Sequence, residues 1–442
     1  MTQPSAEPPR AESARPLRVA MLGCGTVGTH VAQLIVQRSE DLQERIGRPL
    51  ELVGIAVRDP ARKRDDLDPA LFTDDAAGLV ATPGLDIVIE LIGGIEPSRT
   101  LVLDALRRGS SVVTANKALL AAHGEEIFAT AEESGVDVYF EAAVAGAIPI
   151  VRPLRESLVG DEITAVIGIV NGTTNYILDK MTSERMDFDQ ALAKAQDLGY
   201  AERYDPSADV EGYDAAAKAA ILAGLAFHSR VNAEDVYREG ITDVTVRDIE
   251  AAESLDSVIK LLAIAQVDAQ GRISVRVHPA MVAKNHPLAG VKGAYNAILV
   301  QAANAGRLMF MGPGAGGIPT ASAVAGDLVT VARNRLRGVA GPPQSVYARR
   351  ALAPMSQTRS RYYLRLRVAD EPGVLAGVAS VLAAHNVSLA SVQQAQEKDD
   401  TGEADLALIT HEAREQDVLA CIDQLAVADY VHEGIRMIRV EV

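Results

Sequence analysis

The stretch Leu17-Arg-Val-Ala-Met-Leu22-Gly23-Cys-Gly25-Thr-Val-Gly28 decides how the rest of the chain is read. A short apolar run gives a strand, and three glycines follow at G-x-G-x-x-G spacing just as helical periodicity begins. The first glycine permits a tight turn, the second lets backbone approach a pyrophosphate, and the third allows close helix–strand packing. A helix N-terminus then faces the negative charge. Spacing alone is a weak signal and also suits a structural turn. The strand–turn–helix context makes Gly23, Gly25, Thr26, Val27 and Gly28 candidate contacts for a dinucleotide.

Outward from this turn, apolar runs at Leu17–Leu22, Leu50–Val57, Asp86–Leu91, Ser111–Thr114 and Val136–Glu141 alternate with helical stretches. Thr26–Gln37, Pro97–Arg108 and Ala118–Ser134 carry the helical period. Near-continuous apolar strands alternating with helices predict an α/β domain, a Rossmann-type parallel sheet covered on both faces, over 17–150. An α+β domain is expected over 151–337. It starts with a strand at Glu162–Val170 and helices near Thr174–Met181, Asp189–Leu198 and Tyr213–Phe227. Two antiparallel pairs follow, Ile259–Val267 with Arg272–Val282 and Ala297–Ala303 with Arg307–Gly312, joined by turn-forming residues. A glycine-rich loop, Gly312 to Gly317, precedes a helix running to about Arg337. The segment 338–359 reads as a Pro/Gly-containing linker that permits relative movement. Beyond it, 360–442 has the βαββαβ order of a ferredoxin-like domain.

About three domains fit a chain of 442 residues. A net charge of −16, from 59 acidic and 43 basic residues, argues against nucleic acid or an anionic membrane as partner. Two distant cysteines, Cys24 and Cys421, exclude a disulfide scaffold and suit a cytoplasmic protein. There is no apolar run of about 18 residues to span a bilayer. The first 16 residues, rich in Pro, Ser, Ala and Glu, read as a disordered tail.

Three places carry candidate chemistry. Arg58 closes the second strand, with Arg62, Lys63 and Arg64 after it. Arginine there accommodates a 2′-phosphate, so NADP is favoured, while Asp59 leaves NAD open. Lys117 follows an apolar strand and opens the next helix, where a cation meets an unfavourable dipole unless something binds it. Asp214 and Lys218 are four apart on a helix with no other charge from Ala215 to Phe227. An exposed pair there would contribute only ~0.3–0.5 kcal/mol. A helix apolar nearly all round is buried, and a buried ion pair is a poor device for stability alone. Burial also tunes lysine for proton transfer. Glu202, Asp205 and Asp209 add carboxylates just upstream, as an ammonium-bearing substrate would require, although helix capping explains them too.

The glycine turn, Thr114-Ala-Asn-Lys117, Glu141-Ala-Ala-Val-Ala-Gly146, Asn171-Gly-Thr-Thr-Asn-Tyr176, the Gly199–Lys218 block and Gly314-Ala-Gly-Gly317 occur in one order. In that order the chain resembles homoserine dehydrogenase of the bacterial type, from Leu17 to about Arg337. The tail, with Asp370-Glu-Pro-Gly373-Val374-Leu375, resembles an ACT regulatory domain. The resemblance implies that Lys218 transfers the proton, that Lys117 contacts the reacting oxygen and the nicotinamide region, and that Glu202 and Asp214 bind substrate with Thr173 and Asp209 beside them. It further implies that Gly316 approaches the cofactor. A monovalent cation, Na⁺ or K⁺, is implied at Glu141, Val144, Gly146 and Ile148, mainly on backbone oxygens. The expected substrates are L-homoserine and L-aspartate 4-semialdehyde, in threonine, methionine and isoleucine biosynthesis. L-threonine is the expected effector at Asp370, Gly373, Val374 and Leu375, and a homodimer or homotetramer the expected assembly. Rival readings are another NADP-linked oxidoreductase of a small amino-acid-derived substrate and an inactive amino-acid sensor. The family pattern runs Glu-x-Asp-Pro, whereas this chain has one residue more, Glu202-Arg-Tyr-Asp205-Pro206.

Overall fold

A computed structural model describes residues 15–64, 66–343, 348–396, 402–432 and 434–441. The expected tail lies outside the described residues except for Arg15 and Pro16. Arg15 is already fixed, its guanidinium donating to both carboxylate oxygens of Asp86 at 2.8 and 3.0 Å. The chain forms two compact units, Met1–Ala147 with Ala315–Gln344, and Ile148–Gly314 with Ser345–Val442.

The first unit holds six strands, β1 (Leu17–Leu22), β2 (Leu50–Ala56), β3 (Phe72–Thr73), β4 (Ile87–Glu90), β5 (Ser111–Thr114) and β6 (Val138–Tyr139). They pair in parallel in the order β3-β2-β1-β4-β5-β6. That is the doubly wound Rossmann order, with its switch point beside β1 where a ligand crevice opens. Buried β4 and β5 explain the unbroken apolar runs. The strand expected over Val136–Glu141 is shorter, because Glu141 already begins a tight 3₁₀ turn, Glu141–Ala143.

The helix Gly317–Arg337 belongs to this unit, not to the domain expected over 151–337. Its Ala321, Val324, Leu328, Val331 and Ala332 share one core with Val31 and Ile35 of the helix Thr26–Gln37. The approach is close: a Cβ on Gly317 would stand 2.6 Å from the His30 ring and 2.9 Å from the Thr26 methyl. The chain therefore leaves the nucleotide-binding sheet and returns to it.

The second unit is built on one large mixed sheet. Its strands are β7 (Ile163–Ile169), β8 (Tyr237–Arg238), β9 (Ser257–Val267), β10 (Ile273–Ala283), β11 (Tyr295–Ala302) and β12 (Gly306–Pro313). The C-terminal part adds β13 (Arg359–Ala369), β14 (Leu389–Gln396), β15 (Glu403–Thr410), β16 (Ala413–Arg414) and β17 (Arg436–Glu441). The sheet runs β12-β11-β7-β9-β10-β17-β13-β15-β14, with β8 on β10 and β16 on β13. The helix Tyr213–Phe227 packs on β7, β9 and β10, and its alanines other than Ala217 are buried with Leu222, as its composition requires.

The C-terminal βαββαβ part has its own core, with Tyr362, Leu364, Leu366, Leu406 and Leu408 beneath its two helices. It is not merely tethered. β17 pairs in parallel with β10, Ala280 opposite Arg439 and Val282 opposite Glu441. The described part of the expected linker is hydrogen-bonded as well, Ala348 N to His228 O and Ile273 N to Ala351 O, both 2.9 Å. The last strand begins only at Arg436, and Val431 before it makes an isolated bridge to Val368.

Charges seal the seam. Arg439, 2% exposed, donates to Glu415 from two guanidinium nitrogens, to Glu239 at 2.7 Å and to the Tyr237 hydroxyl at 3.0 Å. Beside it Arg276 donates to Glu441 at 3.0 Å, and Arg436 to Asp248 at 3.2 Å.

Lys260 on β9 is a second kind of buried cation. Its ammonium donates to Asn175 Oδ1 at 2.9 Å and to the Val291 carbonyl at 2.6 Å. Burial pulls its pKa down to about 8, against a partial upward pull from Asp179. Below pH 8 the fold carries the cost of a buried charge, and above it the group goes neutral while the unfolded chain still binds the proton. Stability attributable to Lys260 should therefore rise between pH 8 and 10.5, by on the order of 3 kcal/mol for a shift of this size. Thermal unfolding of wild type and Lys260→Met at pH 7.5 and 10 would show this as a melting-point difference that changes with pH. A constant difference would mean that Lys260 does not titrate in this window.

Candidate active site

In the first unit the glycine turn is fixed by contacts that only glycine allows. Gly23 has φ +101°, and a Cβ there would lie 2.7 Å from the Leu91 carbonyl oxygen. On Gly28 it would lie 2.5 Å from the Gly23 oxygen. Gly25 is different: a Cβ there meets nothing within 4 Å, so the surface in front of the turn is open to a ligand. Gly25 N-caps the helix Thr26–Gln37 and Gly316 N-caps Gly317–Arg337, both without a side-chain cap. Two helix starts thus leave backbone N–H groups for an anion.

Arg58 is exposed just past β2. Asp59 turns its carboxylate into its own loop, accepting the N–H groups of Ala61 and Arg62 at 3.0 and 3.2 Å. Arg64 is also engaged, donating to the Asp59 and Arg62 carbonyls and lying 4.7 Å over the Phe72 ring.

At the ends of β4 and β5 lies a network with little signature in the sequence. Glu90, fully buried, accepts the Thr114 hydroxyl at 2.6 Å and the N–H groups of Ile92 and Gly93 at 2.9 and 3.1 Å. Asn116 caps the helix Lys117–Ser134 through Leu119 N and donates to the Gly94 carbonyl at 2.7 Å. Together they fix the loop after β4 and present half-buried Lys117 at the first position of its helix. A carboxylate ending an apolar strand was the only sequence signal for Glu90.

Further along, Glu141 is 3% exposed, and its N–H donates to Asp327 at 2.8 Å. Val144 is fully buried, and Ala145 and Gly146 both take φ +58°.

In the second unit the predicted charge pair is real and nearly sealed. Lys218 Nζ donates to Asp214 Oδ2 at 2.7 Å and to the Val170 carbonyl at 2.8 Å, with about 11% of each side chain exposed. An ammonium has three donors, so one N–H is left for a ligand. Asn171 organises the carboxylates. Its amide donates to Asp209 at 2.7 Å and to Asp214 at 3.0 Å, while its oxygen caps Thr174 N of the helix Gly172–Glu184. Thr173 donates to the Tyr200 carbonyl at 2.6 Å, tying down the loop after Gly199. Burial pushes the Asp209 carboxyl upward against the Asn171 hydrogen bond that lowers it, and the Asp214 charge adds to the rise.

Among the described residues no hydrogen bond or ion pair brings the Glu202 side chain to this cluster. It is exposed, on a loop where the neighbouring Tyr204 is fully exposed. Asp205 does what the capping alternative required: its carboxylate accepts the Ser207 N–H at 3.1 Å and the Ser207 hydroxyl at 2.5 Å, and stays below the usual range for that reason. Asn296 has no signature in the sequence. It is 1% exposed, neither amide atom has a partner among the described residues, and it lies against Gly172 and Gly314.

In the C-terminal part, Gly373 at φ +101° opens the helix Val374–Ala384 without a side-chain cap. Asp370, Gly373 and Leu375 are exposed, and Asp370 accepts the Gln394 amide at 3.0 Å.

An open dinucleotide turn in one unit, a sequestered lysine–carboxylate cluster in the other, and an appended βαββαβ module define a class: nicotinamide-dependent oxidoreductases carrying a small ligand-sensing domain. Family profiles agree, with "Homoserine dehydrogenase, NAD binding domain" matching residues 23–141, "Homoserine dehydrogenase" 149–329 and "ACT domain" 362–427. Homoserine dehydrogenase of Mycobacterium tuberculosis is 52% identical over 434 residues, covering 97% of this chain and 98% of the relative. That of Corynebacterium glutamicum is 51% identical over 427 residues, 96% and 95% of the two chains. Among solved structures, homoserine dehydrogenase from Thiobacillus denitrificans superposes with TM-score 0.90 at 41% identity, over 97% of this chain and 98% of that one. A hyperthermophilic archaeal homoserine dehydrogenase in complex with NADPH gives TM-score 0.62 at 28% identity, over 75% of this chain and all of that one. The chain belongs to the homoserine dehydrogenase family, and its activity is that of a homoserine dehydrogenase.

Proposed function

We propose that the chain interconverts L-homoserine and L-aspartate 4-semialdehyde with NADP as the preferred cofactor. The observation that carries this is Lys218, held by Asp214 and Val170 with one N–H to spare. When bound, the nicotinamide accepts or supplies the hydride. Lys218 gives its proton to the carbonyl oxygen as it becomes an alkoxide, and takes it back in the reverse direction. Asp214 keeps the ammonium in place, and Asn171 keeps Asp214 and Asp209 in register for the substrate ammonium. Lys117 stabilises negative charge developing on the reacting oxygen. Thr173 and Glu202 complete the substrate contacts by family resemblance, Glu202 from a loop that must bring its carboxylate in.

The turn Gly23–Gly28 fits a pyrophosphate, since Gly25 is open in front and two helix starts are uncapped. Gly316 would approach it from the returning loop. NADP is favoured because Asp59 is engaged in its own loop, whereas the Arg58 side chain makes no such bond among the described residues. The archaeal relative solved with NADPH points the same way. Arg58→Asp should lower kcat/KM for NADP about tenfold or more relative to NAD, by removing a charge-assisted contact and adding repulsion. An unchanged ratio would move selectivity to Arg62 or Lys63.

A monovalent cation fits the segment 141–148. By family resemblance its ligands are mainly backbone oxygens, of Val144, Gly146 and Ile148 beside Glu141. Hard oxygen donors suit Na⁺ or K⁺. L-threonine is our choice of effector, at the Asp370–Leu375 turn, where an uncapped helix start suits a carboxylate. We place the enzyme in the cytoplasm as a homodimer or homotetramer. No helix among the described residues is long and apolar enough to cross a membrane.

Nicotinamide absorbance with homoserine and NADP or NAD, with and without millimolar L-threonine, tests the reading. Turnover that threonine depresses is expected. No turnover with either cofactor would overturn the activity, and indifference to threonine would overturn the effector.

A further inference from the structure

We propose that Asn296 is a positioning residue for the nicotinamide cofactor. Its amide and the Gly314 backbone, buried against each other and unpaired, join when the dinucleotide binds and so fix the loop leading to Gly316. This rests on the dinucleotide reading of Gly23–Gly28 and Gly316. Asn296 lies on β11 opposite Gly312 of β12, and the ladder ends one pair further on, at Tyr295 and Pro313. Gly314 is thus the first residue released from the sheet. The Asn296 amide fills the place of its missing side chain, since a Cβ on Gly314 would stand 1.9 Å from Asn296 Nδ2. A Cβ on Gly172 would meet Asn296 Oδ1 at 3.5 Å, so the start of the helix Gly172–Glu184 closes over the same amide.

Groups that match one another therefore touch without bonding. Asn296 is 1% exposed, yet neither Nδ2 nor Oδ1 has a partner among the described residues. The N–H and carbonyl of buried Gly314 find no backbone partner among them either. Asn175, one turn into the helix Gly172–Glu184, is the contrast. It donates to the Val291, Gly293 and Tyr295 carbonyls and accepts from Lys260. Unpaired buried polar groups cost stability, and a fold retains them where a second state satisfies them. The loop after Gly314 supplies that state. Ala315 and Gly316 are exposed, and Gly316 opens the helix Gly317–Arg337 with its N–H groups uncapped. This helix start packs on the dinucleotide turn's own helix, Gly317 against Thr26 and His30. A dinucleotide held on these N–H groups draws the Gly314 backbone into one position. There the amide accepts the Gly314 N–H or donates to its carbonyl, as an asparagine can do at once. Binding gains hydrogen bonds that the cofactor-free protein lacks, and only such a difference between states shifts an equilibrium.

Asn296→Leu in the full-length enzyme separates this role from a structural one, because it replaces an unpaired polar group by an apolar one of similar shape. Without cofactor the variant should melt about 2–4 °C above wild type. Its affinity for NADPH, read by nicotinamide fluorescence, should fall about tenfold, as loss of one or two hydrogen bonds does. KM for the cofactor should rise with it, while KM for homoserine stays near that of wild type. Asn296→Ala, which cannot overpack, should show the same loss of affinity. A structural asparagine bridged by buried water predicts otherwise. NADPH affinity would then hold, and KM for homoserine would rise as Gly172 and its neighbour Asn171 shift. The proposal falls if both variants bind NADPH as wild type does, or if both raise KM for homoserine as much as KM for the cofactor. If wild type binds neither NADPH nor NADH, the dinucleotide reading falls and the role of Asn296 with it.

Discussion

Lys218→Ala should lower kcat by ~10²–10⁴-fold, the usual contribution of a general acid–base group, while KM for homoserine changes far less. The reason is geometric. Asp214 at 2.7 Å and Val170 at 2.8 Å hold the ammonium from two sides, so its remaining proton has one direction to go. Truncation leaves Asp214 still hydrogen-bonded to Asn171 at 3.0 Å, and the variant should fold. Steady-state kinetics on protein with unchanged circular dichroism decides the matter. Near-normal kcat would make Lys218 structural and remove the proposed proton path. Asp214→Asn is the informative companion: it keeps the shape but removes the charge that holds the ammonium, and should lower kcat while sparing the fold.

Arg439→Met should cost about 3–5 kcal/mol of stability, the loss typical when one partner of a buried ion pair is removed. Glu415, 2% exposed, would keep only the Tyr362 hydroxyl at 2.8 Å as a donor among its hydrogen bonds at the seam. Glu239 and Tyr237 would lose the same cation. Because Arg439 lies on β17 opposite Ala280 of β10, the damage falls where the ACT part joins the substrate part. Denaturant unfolding should show a lower midpoint, and Arg439→Met with Glu415→Gln should recover part of it by removing the stranded charge. A single variant as stable as wild type would show that the network is not what holds the seam. The same pairing bears on any truncation near Gln357. Such a chain loses β17 and exposes an edge of β10, so a loss of threonine response there would report damage to the sheet as well as a missing domain.

Much of the fold was legible locally. The glycine turn, the helix Thr26–Gln37 and the βαββαβ order all follow from short-range rules: period, turn chemistry, and a helix start at a fixed place. Lys218 was legible for a related reason, since a lone charge pair on an apolar helix announces its burial. Asn171 carried a readable signal too, an asparagine just before a helix, but its bond to Asp209 did not. Asp59 and Asp205 looked like ligand contacts and proved to close their own turns, because short carboxylates bond nearby N–H groups whenever the loop curls back.

The identity of each element and the chemistry of the residues it carries depend on neighbours within a few positions, and so can be read from the chain alone. The return of Gly317–Arg337 to the nucleotide-binding sheet, the pairing of β17 with β10 and the burial of Glu90, Asn296 and Arg439 emerge only in the folded chain. Each of these rests on partners far away along the chain. An apolar stripe says that a surface must be covered and is silent about which surface covers it, since hydrophobic burial is non-directional.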